Sequence, residues 1–199
     1  MARRQLYVSL DIEADGPYPL DYSMRNFGME IFDEEGLTYG TFERNLIPLP
    51  EAKEDPDTMR NFWDKNSEAW EYVNTNPADP TIAMKENKAW LTAIANNNNA
   101  VMSYAGYPAS FDFMWHYIYM VKLTGDCRPL SFSSFDIKTA AAITLDIPYN
   151  MATKKNFPKR WFKGSPQHDH TGLCDAIGQR IIAVNIIKEA KEKIRERNS

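Results

Sequence analysis

Apolar and polar residues alternate from residue 5 to residue 13, with Leu6, Val8, Leu10 and Ile12 on one side and Tyr7, Ser9, Asp11 and Glu13 on the other. A period of two predicts a strand whose faces differ. It sets Asp11 and Glu13 on the same face, about 7 Å apart along the chain, a separation suited to two ligands of one small cation. Gly16, Pro17 and Pro19 end the pattern. Apolar segments at 27–32 and 39–49, joined by the turn-like DEEG of 33–36, predict an antiparallel pair.

The period changes at Pro56. Met59, Phe62, Trp63, Ala69, Trp70 and Val73 recur at helical spacing, and so do Ile82, Met84, Trp90, Leu91 and Ile94, with Pro77 and Pro80 between the two sets. Trp63, Trp70 and Trp90 are expected in the core. The asparagines at 96–99 read as a loop, followed by a strand at 100–105, a helix at 111–123, a short strand at 132–137 and a short helix at 138–145. Leu173, Ile177, Ile181, Val184, Ile187 and Ile194 line a long amphipathic helix that ends in the charged tail KEAKEKIRERNS. No repeat or linker breaks the order. Strands first, then strands alternating with helices, predict one α/β domain over residues 1–199, a mixed sheet with helices packed on it.

Composition narrows the function classes. A chain of 199 residues, 43% hydrophobic and 25% charged, is ordinary for a globular protein. No apolar run approaches the roughly 20 residues of a membrane span, so no membrane partner is expected. The N-terminal MARRQLYVSLDIEADG alternates and is not read as a secretory signal. Cys127 and Cys174 are too few for a disulfide framework, which points to the cytoplasm. A net charge of −4 excludes a protein that coats nucleic acid nonspecifically. It leaves room for a nuclease, because a carboxylate cage lowers the formal count and bound cations reverse the local sign.

Three distant segments carry the candidate chemistry: Asp11 and Glu13 in DIEADG, Asp112 in SFDFMW, and His170 and Asp175 in HTGLCDAIGQ. Carboxylates hold hard divalent cations, and a histidine near its ordinary pKa takes a proton from water. Each residue also has a plainer reading. Asp11 and Glu13 suit a solvated strand face, Asp112 a helix-start acid, and His170 a surface loop. Against the first stands location, since the C-terminal end of a central strand is where ligands bind in open α/β sheets. His170 and Asp175 are five apart, so one helix face cannot present both; His170 is expected in a loop or first turn and Asp175 on the helix. His168, His170 and Cys174 compete as a zinc set, but no second Cys/His pair supports it, and His168 reads as a neighbouring loop residue.

The segment KKNFPKRWFK, 154–163, interleaves Lys154, Lys155, Lys159, Arg160 and Lys163 with Phe157, Trp161 and Phe162 and contains no acid. Cations meet phosphates and aromatic faces meet bases, so Lys155, Lys159, Arg160 and Trp161 are expected to contact a single strand. The alternative is a solvated loop with its aromatics packed inward.

DIEADG, SFDFMW and HTGLCDAIGQ resemble the three motifs of the DEDDh branch of the DnaQ-like, ribonuclease H-like 3′-to-5′ exonucleases, and the likeness spans residues 5 to about 190. DYSMRNFG, PDTMRNFWDKNSEAW and KKNFPKRWF are similar to a little-described bacterial subgroup. Many relatives carry Asn four residues before the second-motif Asp, where this chain has Pro108; the departure bears on a substrate or supporting contact and not on the metal cage.

The resemblance implies a ribonuclease H-like fold, with a mixed five-stranded sheet and helices on both faces. It implies two ions, Mg²⁺ or Mn²⁺. Asp11, Glu13 and Asp175 would hold the first, Asp11 would bridge to the second, and Asp112 would support the second through water. Such ions lie about 3.5–4 Å apart, one generating hydroxide and the other stabilising the leaving 3′ oxygen, while His170 accepts the proton of the attacking water. The expected activity is 3′-to-5′ hydrolysis of single-stranded nucleic acid, with RNA somewhat favoured over DNA. The rivals are a DNA-specific proofreading-type exonuclease and a non-catalytic nucleic-acid-binding module on the same fold. Expected partners are a single strand with a 3′ end and, as a homodimer, a second copy of the chain.

Overall fold

The alternating segment forms β1 (Arg4–Ala14), the middle strand of a five-stranded sheet, in a computed structural model that describes residues 3–198. Met1, Ala2 and Ser199, at the ends of the N-terminal segment and the charged tail, lie outside the described residues. β2 (Met24–Phe32) pairs antiparallel with β1, and β3 (Thr38–Asn45) antiparallel with β2. On the other side β4 (Ala100–Gly106) and β5 (Leu130–Asp136) add in parallel, giving the order β3-β2-β1-β4-β5.

The two faces of β1 bury different layers. Leu6, Val8, Leu10 and Ile12 enter a core with α3 (Pro80–Asn97) and α4 (Ala109–Thr124), where Leu91, Trp115 and Met120 are fully buried. Tyr7 faces the other layer, against Phe32 and Phe135, with α5 (Ile137–Leu145) and α6 (Gly172–Arg197) above. Helices therefore cover both faces, as expected. His116 is fully buried in the first layer, and its ring nitrogens meet the Tyr104 hydroxyl at 2.8 Å and Asn87 Oδ1 at 3.0 Å.

Several boundaries move. The second strand of the hairpin stops at Asn45 rather than Leu49, because Leu46 leaves to bridge Ala78. The apolar pattern from Met59 to Val73 breaks into α1 (Pro56–Asn61), a 3₁₀ turn (Trp63–Lys65) and α2 (Ser67–Val73). Asn66 Nδ2 donates to Phe62 O at 2.8 Å and turns the chain there. These pieces bury their own small cluster of Trp63, Ala69 and Val73. Trp63 is buried as expected, whereas Trp70 and Trp90 are only partly covered. α3 takes in Asn96 and Asn97 before Asn98 caps it. Residues 154–163 form two 3₁₀ turns, Lys154–Asn156 and Lys159–Phe162. Among the described residues no helix is long and apolar enough to cross a membrane.

Candidate active site

β1 runs into a cleft of about 590 Å³ whose polar wall is Asp11, Glu13, Asp112, His168, His170 and Asp175. One potential ligand oxygen each from Asp11, Glu13 and Asp175 lies within 4.8 Å of the others. Asp112, in the first turn of α4, accepts a hydrogen bond from Ile12 N at 3.3 Å, which ties its carboxylate to the β1 backbone at the residue between Asp11 and Glu13. The structure thus brings all five expected residues to one cleft.

A close backbone approach makes this possible. Gly28 pairs with Asp11 across the β1–β2 ladder, and a Cβ built on Gly28 would lie 2.0 Å from Leu173 N. A Cβ on Gly172 would lie 2.5 Å from Gly28 N. Without side chains at both positions, the start of α6 sits directly on the sheet. Its unpaired amides find partners there: Gly172 N donates to Asn26 Oδ1 at 2.8 Å and Leu173 N to Glu43 Oε1 at 3.3 Å. Asp175, one turn into α6, is delivered beside Asp11.

Burial and mutual repulsion set the protonation of the cage. Asp11 is held well above the usual carboxylate pKa by burial first, then by Asp112, Glu13 and Asp175. Glu13 is raised well above its usual value by burial, Asp175 and Asp112. Burial pushes Asp112 up to about 8, and it also raises Asp175, against which His168 acts. A clustered set of hard oxygens short of positive charge is what a divalent cation fits.

His170 stands in the loop before α6 with a left-handed backbone, φ 58°. Its ring meets Phe62 edge-on at 5.0 Å and His168 at 4.2 Å between centroids. Burial, with His168 adding to it, lowers its pKa below the ordinary histidine value. His168, read from sequence as a bystander, lies in the same cleft and hydrogen-bonds Asp175 Oδ1 through Nδ1. Its nitrogen, that of His170 and an oxygen of Asp175 also group within 4.8 Å, but Cys174 turns its Sγ to Gln167 O at 3.1 Å. Cys174 groups instead with Asp169 and Asp175, so the His168–His170–Cys174 zinc set does not assemble.

Gln179 went unread in the sequence. It is buried, and its Nε2 donates to Asp11 Oδ1 at 2.6 Å. The available signal was its position four residues after Asp175, on the same helix face.

Within the basic segment, Trp161 departs from the expected strand contact. Trp161 is 1% exposed and its Nε1–H donates to Glu189 Oε2 at 2.8 Å, so its ring fills the α5–α6 core and offers no face to a base. Arg160 forks onto the same Glu189, with contacts of 2.8 to 3.1 Å. Phe157 is buried beside Trp161. Lys155 and Lys159 are exposed and do not line the cleft. The reason is local: Phe157, just after the first 3₁₀ turn, and Trp161, within the second, turn inward and leave Lys155, Lys159 and Arg160 outside. Lys154 alone reaches a cavity adjoining the cage, together with His168, Asp175 and Gln179.

No family model matches the chain. A curated Escherichia coli relative, the 3′-5′ DNA exonuclease Cap18, is 25% identical over 173 residues, 87% of each chain. Among solved structures, the nuclease domain of 3′hExo, a DEDDh family member bound to rAMP, is similar with a TM-score of 0.69 at 12% identity, over 92% of both chains. E. coli ExoI, in a zinc-bound complex with ssDNA, is similar with a TM-score of 0.63 at 14% identity, over 96% of this chain and 41% of that one. Both structural likenesses establish a shared ribonuclease H-like fold.

Proposed function

We propose that this chain is a 3′-to-5′ exonuclease of single-stranded nucleic acid, from the premise that it belongs with the DEDDh exonucleases, whose fold and three motifs it carries. Residues 1–199 are read as one exonuclease domain working in the cytoplasm. The observation that carries the reading is the convergence of Asp11, Glu13 and Asp175 at the end of β1, with Asp112 and His170 on the same cleft.

The donor set fits hard divalent cations, Mg²⁺ or Mn²⁺, because the group formed by Asp11, Glu13 and Asp175 offers three carboxylate oxygens. Asp11, Glu13 and Asp175 would hold one ion, and Asp11 with Asp112 a second. When bound, such ions supply Lewis acidity that activates water and offsets charge on the leaving oxygen.

The protein's own groups supply the remainder. His170 is neutral at pH 7, since its pKa lies below the ordinary value, and accepts the proton of the attacking water. Phe62 fixes the imidazole plane by its edge contact. Gln179 holds the Asp11 carboxylate in place. The water oxygen bonds to phosphorus as the bond to the 3′ oxygen of the penultimate nucleotide breaks, releasing a nucleoside 5′-monophosphate. The apolar wall of Phe62, Pro108 and Phe111 offers the terminal base a surface on which to pack.

RNA is the substrate the sequence reading favours. DNA is the second reading, supported by the E. coli relative, a DNA exonuclease. Incubating matched 5′-labelled RNA and DNA oligomers with Mg²⁺ or Mn²⁺ tests both. The expected result is a ladder shortening from the 3′ end, with the faster sugar marking the substrate. Internal cuts, or no products under either metal, would overturn the exonuclease and leave a binding module.

A further inference from the structure

Of the five cations in the 154–163 segment, only Lys154 is built toward the cage. Its Nζ lies 5.3 Å from the centre of the Tyr107 ring, and Tyr107 lines the main cleft beside Pro108 and Asp112. Lys154 also lines the adjoining cavity of about 210 Å³, which shares His168 and Asp175 with that cleft. The turn carrying it is pinned in place. The Tyr107 hydroxyl donates to Ala152 O at 2.8 Å, and the Tyr107 ring meets the buried Phe157 edge-on at 5.6 Å.

The charge of this ammonium is felt at the cage, where it lowers the pKa of Asp11, Asp112 and Asp175 against the effect of burial. Yet among the described residues Lys154 has no ion-pair partner, whereas Arg160 is committed to Glu189. An ammonium held over a ring, close enough to act on three carboxylates and paired with none, is free to meet an anion that arrives in the cleft. The anion that the exonuclease reading brings there is a phosphodiester.

We propose that Lys154 is a catalytic residue whose Nζ contacts the phosphate being cleaved and offsets the negative charge its oxygens gain in the transition state. The proposal rests on the exonuclease reading. It assigns Lys154 a role separate from the metal ligands and the general base. A donor aimed at developing charge acts on turnover more than on ground-state binding. Coulomb's law gives the same ammonium the opposite sign toward a cation at the cage, so removing it should not weaken metal binding.

Lys154→Met, Lys154→Arg and, at an exposed cation of the same segment, Lys163→Ala test this, each checked by its melting curve. Lys154→Met is expected to lower kcat at saturating substrate and metal roughly 10- to 100-fold, less than an enclosed donor because Lys154 is exposed. Its Mn²⁺-binding midpoint, measured by fluorescence without substrate, should stay put or fall. Lys154→Arg should recover part of the rate, and Lys163→Ala should remain within about twofold. An unchanged kcat in Lys154→Met, beside an active wild type, overturns the proposal and leaves the exonuclease standing. Weaker Mn²⁺ binding with a lower melting temperature and no rescue by Arg also overturns it, in favour of a structural role. A wild type that cleaves no oligomer sinks the exonuclease reading and this proposal with it.

Discussion

At the scale of single residues, the cage assigns unequal weights to its members. Asp11 is the most central carboxylate: its pKa is raised by all three of the others, and Gln179 holds its Oδ1. Asp11→Asn should keep the fold and lose well over tenfold in rate; a loss within about tenfold, worth about 1.4 kcal/mol of barrier, would sink the two-ion assignment. The histidines separate by role. His170→Ala should cost about 10²–10⁴ in rate, the usual worth of a positioned base. His168→Ala should cost much less, since His168 acts by orienting Asp175. If His168→Ala is the more damaging, the base is His168. The pH profile carries a sign as well. A base works only when neutral, and burial lowers the His170 pKa below 6.5, so the rate should hold at pH 7 and fall only on the acid side of that value.

At the scale of elements, α1 and α2 are clamped to the end of β1, and Thr58 of α1 with Phe62 after it forms one wall of the cleft. Trp63 Nε1 donates to Ala14 O at 3.0 Å. Arg25 lies over the Trp70 ring at 4.8 Å and 3.6 Å from Asp15, both members of that ion pair being nearly fully buried. Arg25→Met would leave Asp15 buried without its cation, costing about 3 kcal/mol. The urea midpoint should drop accordingly, and cleavage should slow as Thr58 and Phe62 shift on the wall. A midpoint within experimental error of wild type would mean that the clamp is not a stability element. This is also where reading from sequence reached its limit. The period of β1 set Asp11 and Glu13 on one face, and the resemblance of the three motifs to the DEDDh exonucleases joined Asp112, His170 and Asp175 to them, so the cage was legible. The Gly28–Gly172 approach joins residues far apart in the chain, and no local period reports it. Trp161 looked like a base-stacking ring because an aromatic in a basic run reads alike facing in or out. Its partner Glu189 lies on another element. α1 and α2 were one periodic stretch until Asn66 turned the chain between them.

At the scale of the whole molecule, stability and metal binding are linked through the same protons. Asp11, Glu13 and Asp112 have folded-state pKa values raised above their unfolded ones, with Asp112 at about 8. The folded metal-free protein therefore binds more protons than the unfolded chain from roughly pH 4 up to that value, and these groups lose stability as pH rises through the window. His116 works in the opposite direction. Burial lowers its pKa to about 3, so its share is intact above pH 6.5 and is lost as pH falls below it. A divalent ion takes the place of protons on the cage and leaves His116 untouched. The difference between melts with and without the ion thus isolates the cage. The rise in melting temperature on adding Mg²⁺ should be larger near pH 8, about where the unbound carboxylates are most strained, than near pH 5.5, where protons compete for the same oxygens. In Asp11→Asn the metal-free melt should rise, because one repelling charge is gone, and the Mg²⁺ shift should shrink. Equal Mg²⁺ shifts at both pH values, or a full shift in Asp11→Asn, would place the ion somewhere other than the end of β1.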